Sequence, residues 1–262
     1  MNQNWVRSDL KYRAKDAIRK NYWPAVLVSL ILTIITYVCG NGNAGSGTRS
    51  VITQYRYQSG GSYYWGSVTD KIYGIGEYVL HSPLGILLAI VSTGLMLSLL
   101  AIGIALRVFV GNVLEVGSCR FYVENLYSNP GVKKVLYGFN SGAYLNIVKT
   151  MFFRDLYVCL WSLLFVIPGI IKSYEYRMVP YLLAEYPDMS RQEAFARSKE
   201  MMYGQKWRAF VLDLSFLGWN ILSGITFGIV GLFYGRPYQD STDAELYDVL
   251  ASTPTANNYY YG

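Results

Sequence analysis

The sequence is short of charge, of histidine and of cysteine. Only 15% of its 262 residues are charged, His81 is the single histidine, and the cysteines Cys39, Cys119 and Cys159 are widely spaced. A soluble domain carries about 25% charged residues. With one histidine and few cysteines, the chain lacks the residues for a His-based catalytic triad or zinc site. No nucleophile elbow, P-loop or dinucleotide fingerprint occurs in the sequence either. We therefore expect no catalytic residue, no metal and no cofactor, and we interpret the protein as non-enzymatic.

Apolar side chains take the place of the missing charge. Hydrophobic residues make up 52% of the chain and aromatic residues 16%. The longest apolar run covers residues 84–106 and carries no charge. A helix needs about 20 apolar residues to cross the hydrocarbon core of a bilayer. We therefore predict an all-α fold, a polytopic helical bundle in the cell (plasma) membrane.

About six transmembrane helices (four to six) are predicted. They cover residues 23–38, 84–106, 156–171, 178–184, a segment that starts at residue 207, and residues 225–234. Residues 207–234 leave an alternative open, because they fit either one tilted span or two short spans around Ser223-Gly224. Four of the six spans form two compact hairpins. The first span is interpreted as a retained helix and not as a cleaved signal peptide, because a basic flank of about twenty residues precedes it.

Basic residues indicate the orientation of the bundle. With six spans and the N-terminus in the cytoplasm, all but five of the 23 lysines and arginines lie on the cytoplasmic side; the exceptions are Arg49, Arg56, Lys71, Lys172 and Arg177. This agrees with the positive-inside rule and places the C-terminus in the cytoplasm as well. The net charge of +6 does not indicate nucleic-acid binding, because the basic residues flank apolar segments instead of forming one patch.

Two stretches are predicted to be amphipathic helices on the cytoplasmic face. In the first, one apolar face lies among basic residues, which favours a helix at the interface on anionic lipid over a helix packed on the bundle. That face consists of Leu10, Ala14, Ala17 and Ile18. The second stretch begins with the capping box Ser190-x-x-Glu193, and it lies in the interface or plugs the bundle. Its apolar face consists of Ala194, Phe195, Ser198, Met201 and Met202.

One integral membrane domain is predicted over residues 1–251. Residues 40–83 form a Gly/Ser/Tyr-rich loop outside the cytoplasm, which is too polar to span. Its aromatic residues rest on headgroups or meet a partner, or the loop is simply mobile. Residues 252–262 are predicted to be a disordered tail.

A helix break and two polar residues are candidates for function. Pro168-Gly169 interrupts an apolar run. Charge counting favours the outer turn of a hairpin there, and the alternative is a broken helix at a transporter site. Asp213 and Asn220 lie within the predicted fifth span. An ionisable residue in a membrane is a candidate for transport, although Asp213 is also close enough to the interface to pair with a basic residue.

Four glycines near the end of the chain form a further pattern. Gly224, Gly228, Gly231 and Gly235 make two GxxxG units on nearly one face of a predicted helix. Small residues let helices approach closely in lipid. We expect this face to pack inside the bundle, with homodimerisation as the alternative.

Several long motifs occur in a fixed order, namely LKYRAKDAIRKNYWPAVLVSLI, LWSLLFVIPGIIKSYEYRMVPYLLAEYP, SRQEAFARSKEMMYGQK, FVLDLSFLGWNILSGITFGIVGLFYGRPY and AELYDVL. In these motifs the chain resembles a bacterial integral membrane protein family, domain-of-unknown-function family 975. The resemblance covers roughly residues 8–39 and 110–251. It implies a polytopic bundle with no established activity, cofactor or catalytic residue, so no functional residue is carried over.

These features predict an integral membrane protein of unknown biochemical function. We expect a scaffold or partner-binding protein of the cell envelope. Its partners would be the lipid bilayer, with anionic lipid at the cytoplasmic face, and another membrane protein or a second copy of the chain. The alternative is a small-solute or ion transporter or permease component, which would need a polar cavity lined by Asp213, Asn220 and the Pro168 break.

Overall fold

The computed structural model describes residues 5–38 and 82–252. Contacts divide the chain into two units, residues 1–47 with 106–262 and residues 48–105. Most of the Tyr-rich loop, the C-terminal tail, Cys39 and His81 lie outside the described residues. The predictions made for the loop and the tail, and that of one domain over residues 1–251, stay predictions.

The described residues are helical throughout and contain no strand, which confirms the all-α fold. The α-helices are α1 (Arg7–Lys20), α2 (Tyr22–Val38), α3 (Pro83–Leu106), α4 (Asn112–Glu124), α5 (Tyr137–Asn140), α6 (Tyr144–Leu164), α7 (Val166–Glu175), α8 (Val179–Glu185), α9 (Arg191–Met201), α10 (Lys206–Leu214), α11 (Leu217–Ile225) and α12 (Arg236–Ala251). A π-helical turn precedes α4 at Arg107–Gly111, another precedes α12 at Gly231–Gly235, and a 3₁₀ turn lies at Val132–Leu136.

Helix α3 provides nearly all of the described part of the smaller unit. It has 24 residues, carries no charge and agrees closely with the span predicted over residues 84–106. Its large hydrophobic side chains are exposed along its length. The run Ile86–Glu124, which includes all but the first three residues of α3, is long and apolar enough to cross a membrane.

The other candidate span is a bent pair. Arg7–Lys20 and Tyr22–Ile35 together pass the same test of length and composition, but the chain bends by 103° between them. The part of the chain that the structure describes therefore holds one such helix, or two if the bent pair counts as one span. Length and composition alone do not establish the six predicted spans.

Helix α4 lies at the centre of the larger unit. It packs against α2, α6, α8 and α12, and most of its side chains are buried. The Tyr122 hydroxyl donates to the carbonyl of Ala25 at 2.9 Å and lies 2.6 Å from Ser29 Oγ. Ser29 in turn donates to Asp240 at 2.8 Å. A row of polar groups thus connects α4, α2 and α12 through an otherwise apolar core.

Helix α1 has the predicted apolar face, but this face does not lie on lipid. All four of its residues are buried, namely Leu10, Ala14, Ala17 and Ile18. They pack mainly on α12, where Arg13 also forms an ion pair with Glu245 at 2.9 Å. The prediction of an interfacial apolar face is wrong, because α12 offers an apolar partner surface that the local pattern could not reveal. The alternative, a helix packed on the bundle, is confirmed.

Residues 178–184, which were predicted as the fourth span, form a short buried helix. Helix α8 has seven residues, which is about 10 Å of helix against about 30 Å of hydrocarbon. Every residue from Met178 to Ala184 is buried among α4, α6 and α9. This segment belongs to the core of the larger unit.

Helix α9 packs on one side of that core, where Ala194, Ser198 and Met201 are buried. Ser190 Oγ accepts a hydrogen bond from the Glu193 N–H at 3.3 Å, which confirms the helix start at the capping box. Ser198 is fully buried, donates to the Glu175 carbonyl at 2.7 Å and accepts from the Met178 N–H at 3.3 Å. Its hydroxyl therefore joins α9 to the segment between α7 and α8.

We expect Ser198→Ala to destabilise the fold by about 1–3 kcal/mol, because it leaves a buried N–H and a buried carbonyl without a partner. Ser128→Ala is the matched control, since Ser128 is exposed and its hydroxyl bonds only to Glu124 of the preceding turn. Equilibrium unfolding of the purified protein in a mild detergent measures both changes. Equal stability of the two variants would contradict the role given to Ser198.

Candidate functional site

The first hairpin consists of α6 and α7, which meet at Phe165. Phe165 is extended, with φ −153° and ψ 138°, and ends one helix where the next begins. Residues 156–171 carry no charge, and the side chains around the turn are exposed, with Leu163 at 84%. Pro168 follows in the first turn of α7, where its missing N–H leaves no helical bond unmade. The predicted hairpin turn is present, three residues before the Pro-Gly pair.

Gly169 brings the two arms of this hairpin together. A Cβ atom at Gly169 would lie 2.2 Å from Ser162 Oγ and 2.6 Å from Ser162 Cα. Only a residue without a side chain allows this approach. The hydroxyl of Ser162 is satisfied within its own helix, since it donates to the Val158 carbonyl at 2.7 Å.

The second hairpin runs from α11 through a turn at residues 226–228 to Gly235. Phe227 and Gly228 both have positive φ, 51° and 88°, and Phe227 is 99% exposed. The arms touch where a Cβ at Gly231 would lie 2.1 Å from Ser223 Oγ. Two short arms, and not one tilted span, therefore make up this region. The break lies a few residues after the predicted Ser223-Gly224.

The predicted glycine face is wrong, because this turn divides it. Gly224 lies on α11, Gly228 in the turn, and Gly231 and Gly235 on the returning arm. Gly231 packs against the other arm of the same hairpin, and Gly235 is buried near Trp219. The four glycines therefore do not line one helix face.

Asp213 lies at the end of α10 and is held by Tyr174, in the last turn of α7, and by Arg177, which follows α7. Arg177 donates to both of its carboxylate oxygens at 2.8 Å, and the Tyr174 hydroxyl donates to it at 2.7 Å. Arg177 also donates to Asp243 of α12 at 2.7 Å. Asn220 is half-buried on α11, and neither it nor Pro168 is among the hydrogen-bond partners of Asp213. The polar group at Asp213 is therefore an ion-pair network.

A second ion-pair group lies beside it. Glu175 is 4% exposed and accepts from Lys172 at 2.8 Å and from Lys206 at 2.7 Å. Lys172 and Arg177 were predicted on the outer side of the membrane and Lys206 on the cytoplasmic side. One carboxylate contacts both Lys172 and Lys206, so the prediction of opposite sides for these two lysines is wrong.

These two ion-pair groups are here called the hairpin base. Sequence reasoning anticipated that Asp213 could pair with a basic residue, but it missed the partners that join distant segments, namely Arg177 with Asp213 and Asp243, and Lys206 with Glu175. The hairpin base consists of Lys172, Tyr174, Glu175, Arg177, Lys206, Asp213 and Asp243. A third group continues it along α6, where Arg154 pairs with Glu115 at 2.7 Å and with Asp155 at 2.6 Å. The available signal was the position of these charges, because they lie at the ends of charge-free segments.

The electrostatics of Asp243 follow from its surroundings. Burial raises the pKa of its carboxyl from 3.8 to about 7, and Arg177 acts in the opposite direction without cancelling this effect. The neighbouring carboxylates of Asp213 and Asp240 contribute to this rise. One guanidinium therefore pairs with two acids, Asp213 and Asp243.

The described residues contain no group of His, Cys, Asp and Glu that could hold a metal ion. Cys119 is buried and Cys159 is exposed, and both are free thiols. The arrangement consists of two apolar hairpins whose ends are held by ion pairs.

Residues 163–253 match the family model described as Protein of unknown function (DUF975). The match covers both hairpin turns and the whole hairpin base, and it confirms the family resemblance over this region. It begins at residue 163, so the resemblance of residues 8–39 and 110–162 stays a prediction. No curated protein and no solved structure matches the chain at a significant level.

We expect Asp243→Asn to flatten the dependence of stability on pH. The unfolded chain releases this proton near pH 4, whereas the folded chain keeps it up to about pH 7, so folding stability falls as the pH rises through this window. Asn cannot ionise. Between about pH 5.5 and about pH 7.5, the free energy of unfolding of the variant therefore rises by about 2 kcal/mol relative to that of the wild type.

Unfolding in detergent at both pH values measures this difference. Asp188→Asn is the control, because Asp188 is exposed and its removal leaves the hairpin base intact. If the stability of Asp243→Asn depends on pH in the same way as that of the wild type, Asp243 does not titrate in this range.

Proposed function

We propose that this chain, whose residues 163–253 belong to the DUF975 family, is an integral membrane protein that acts without catalysis, as a scaffold or partner-binding protein of the cell envelope. In this proposal α3 and the two hairpins enter the bilayer. The ion-paired helical core of the larger unit stays at the polar face and presents its surface to partners.

The exposed apolar surface of the hairpins is the observation that carries the proposal. Residues 156–171 and 214–235 contain no charged residue, yet most of their large side chains are exposed. Each square ångström of apolar surface in water costs about 25 cal/mol, and soluble proteins rarely expose such contiguous patches. Hydrocarbon is a solvent that removes this cost. Helix α3, in its own unit, has the same exposed and charge-free character.

Exposed basic residues support anionic lipid as a partner at the cytoplasmic face. The chain is basic, at +6, and several of its lysines and arginines outside the hairpins are exposed, including Arg7, Arg19, Lys133 and Lys149. Each basic residue close to an anionic surface contributes about 1 kcal/mol. The orientation with a cytoplasmic N-terminus and C-terminus, and a second copy or another membrane protein as a partner, remain parts of the same proposal.

The contacts of Asp213 favour the scaffold over the transporter. A transport site needs an ionisable group that can exchange its partner for solute or solvent. Asp213 has its two oxygens occupied by Arg177 and its hydrogen-bonding completed by Tyr174. The break near Pro168 closes as a tight hairpin turn, with Gly169 against Ser162. These groups are therefore engaged in holding the fold.

We expect the wild-type protein to remain in the membrane fraction after extraction with high salt and with alkaline carbonate, and to be released only by detergent. The double variant Leu163→Asp with Phe227→Asp places one charge in each hairpin turn, at a cost of about 3 kcal/mol each in a bilayer interior. We expect its yield in membranes to fall several-fold. The control is Leu145→Asp with Tyr203→Asp, at exposed positions away from the hairpin turns.

Release of the wild type by carbonate would refute membrane integration. Equal yields of the two double variants would refute insertion of the hairpins. Purified protein in liposomes then separates scaffold from transporter. Solute flux that Asp213→Ala abolishes would contradict the scaffold, whereas absence of flux with a stable co-purifying membrane protein or dimer is the expected result.

A further inference from the structure

We infer that both hairpins are re-entrant: each enters a single leaflet of the bilayer and returns to the face that it left. The partner of each turn is the acyl-chain region of that leaflet, and neither turn reaches the opposite face. This inference rests on the proposed function, because it requires that the hairpins meet lipid. It replaces the four spans predicted over residues 156–234 by two short insertions.

The first argument is that all four ends of the hairpins meet the same folded core. The arm that enters the first hairpin is held by Arg154, which pairs with Glu115 on α4. The arm that leaves it is held by Glu175, which binds Lys206 at the start of α10. The second hairpin leaves from Asp213 and returns into α12, whose Asp243 shares Arg177 with Asp213. No hairpin therefore delivers the chain to a different face.

The second argument is length. The outgoing arm of the first hairpin, from residue 156 to the turn at Phe165, has ten residues, or about 14 Å of helix. The returning arm, from Val166 to residue 171, is about 8 Å long. In the second hairpin, about 12 Å separate Trp219 from the turn at Phe227. The hydrocarbon core is about 30 Å thick, so the longer arm of each hairpin reaches through at most about half of it.

The third argument is the position of the aromatic residues. Tryptophan and tyrosine collect where hydrocarbon meets the headgroups. In the first hairpin the Lys172 ammonium lies 5.7 Å from the centre of the Trp161 ring, on the opposite arm. In the second hairpin the Trp219 and Tyr234 rings are 4.7 Å apart across the arms. Each hairpin thus has an interfacial pair partway along its arms. Beyond this pair lie only apolar, serine and threonine side chains and glycine, except for the half-buried Asn220 directly after Trp219.

The fourth argument is that the turn at residues 226–228 pairs several of its own backbone groups. The Gly228 N–H donates to the Ser223 carbonyl at 2.7 Å, and the Ile229 N–H donates to the Thr226 carbonyl at 3.1 Å. The Thr226 hydroxyl donates to the Leu222 carbonyl at 2.9 Å and accepts from the Val230 N–H at 3.3 Å. A turn in water has no need of such closure, whereas a turn in hydrocarbon cannot leave these groups unpaired.

Cysteine accessibility tests the inference. Single cysteines replace Leu163 or Phe227 in the full-length protein after Cys39, Cys119 and Cys159 are replaced by serine or alanine, and Tyr203→Cys serves as the control on the folded core. Membrane-impermeant maleimide is applied to sealed vesicles of both orientations. We expect Tyr203→Cys to react from one face only. Both turn variants should react at least about tenfold more slowly from either face, because a thiol in hydrocarbon neither ionises nor meets the reagent.

A fluorophore on each turn cysteine measures depth. We expect quenching by nitroxide lipids whose label lies along the acyl chain, and protection from aqueous iodide. Thermal unfolding of each variant confirms that the fold is retained, and substitution of Ile167 or Ile225 by cysteine supplies a second position in each hairpin if a first variant does not fold.

The outcomes separate this inference from the proposed function. Labelling of a turn from the face opposite to Tyr203→Cys would show spanning hairpins and overturn re-entrance, with membrane integration unaffected. Labelling of both turns from the same face as Tyr203→Cys, with quenching by iodide, would place the hairpins in water and overturn re-entrance and hairpin insertion together. Carbonate extraction reports independently whether the protein is integral.

Discussion

The rest of the structure depends on the ion pairs that Arg177 makes. Its guanidinium is shared by Asp213, at the end of α10, and Asp243, in the middle of α12, and Tyr174 completes the group. These residues join the exit of the first hairpin, the entry of the second and the C-terminal helix. Removing one partner of a buried ion pair costs about 3–5 kcal/mol, because the remaining charge stays desolvated. The charges that fix the hairpins are thus concentrated at their ends, which leaves the segments between them free of charge.

The two hairpins share the same packing between their arms, but their turns differ in backbone geometry. The first turns at a single extended residue, Phe165, and the second turns through two left-handed residues, Phe227 and Gly228. In both, a glycine on the returning arm lies against a serine on the outgoing arm. Close approach supplies packing that does not depend on the hydrophobic effect, which is weak between helices surrounded by lipid. Each hairpin can therefore hold its shape without a partner helix.

The sequence predicted what depends on local spacing. The apolar face of α1, the capping box at Ser190, the bounds of α3 and a hairpin near Pro168 all follow from residues a few positions apart. It did not predict which surface each face meets. The face of α1 suits lipid as well as it suits α12, and residues 178–184 have the hydrophobicity of a span or of a core. The pairing of Arg177 with Asp213, 36 residues later, has no local signature, because many other charges lie at comparable distances.

The same limit applies to the counting of basic residues. A positive-inside count assumes that every apolar segment crosses the bilayer, so a re-entrant hairpin changes the side assigned to whatever follows its turn. When both hairpins return to the face that they left, Lys172 and Arg177 join the other basic residues, as their contacts with Glu175 and Asp213 require. All but three of the 23 lysines and arginines then lie on one side, instead of all but five. The three that remain, all in the loop at residues 40–83, follow the first apolar segment and precede α3. Charge asymmetry thus becomes stronger with fewer crossings, which is the direction expected if the hairpins do not span.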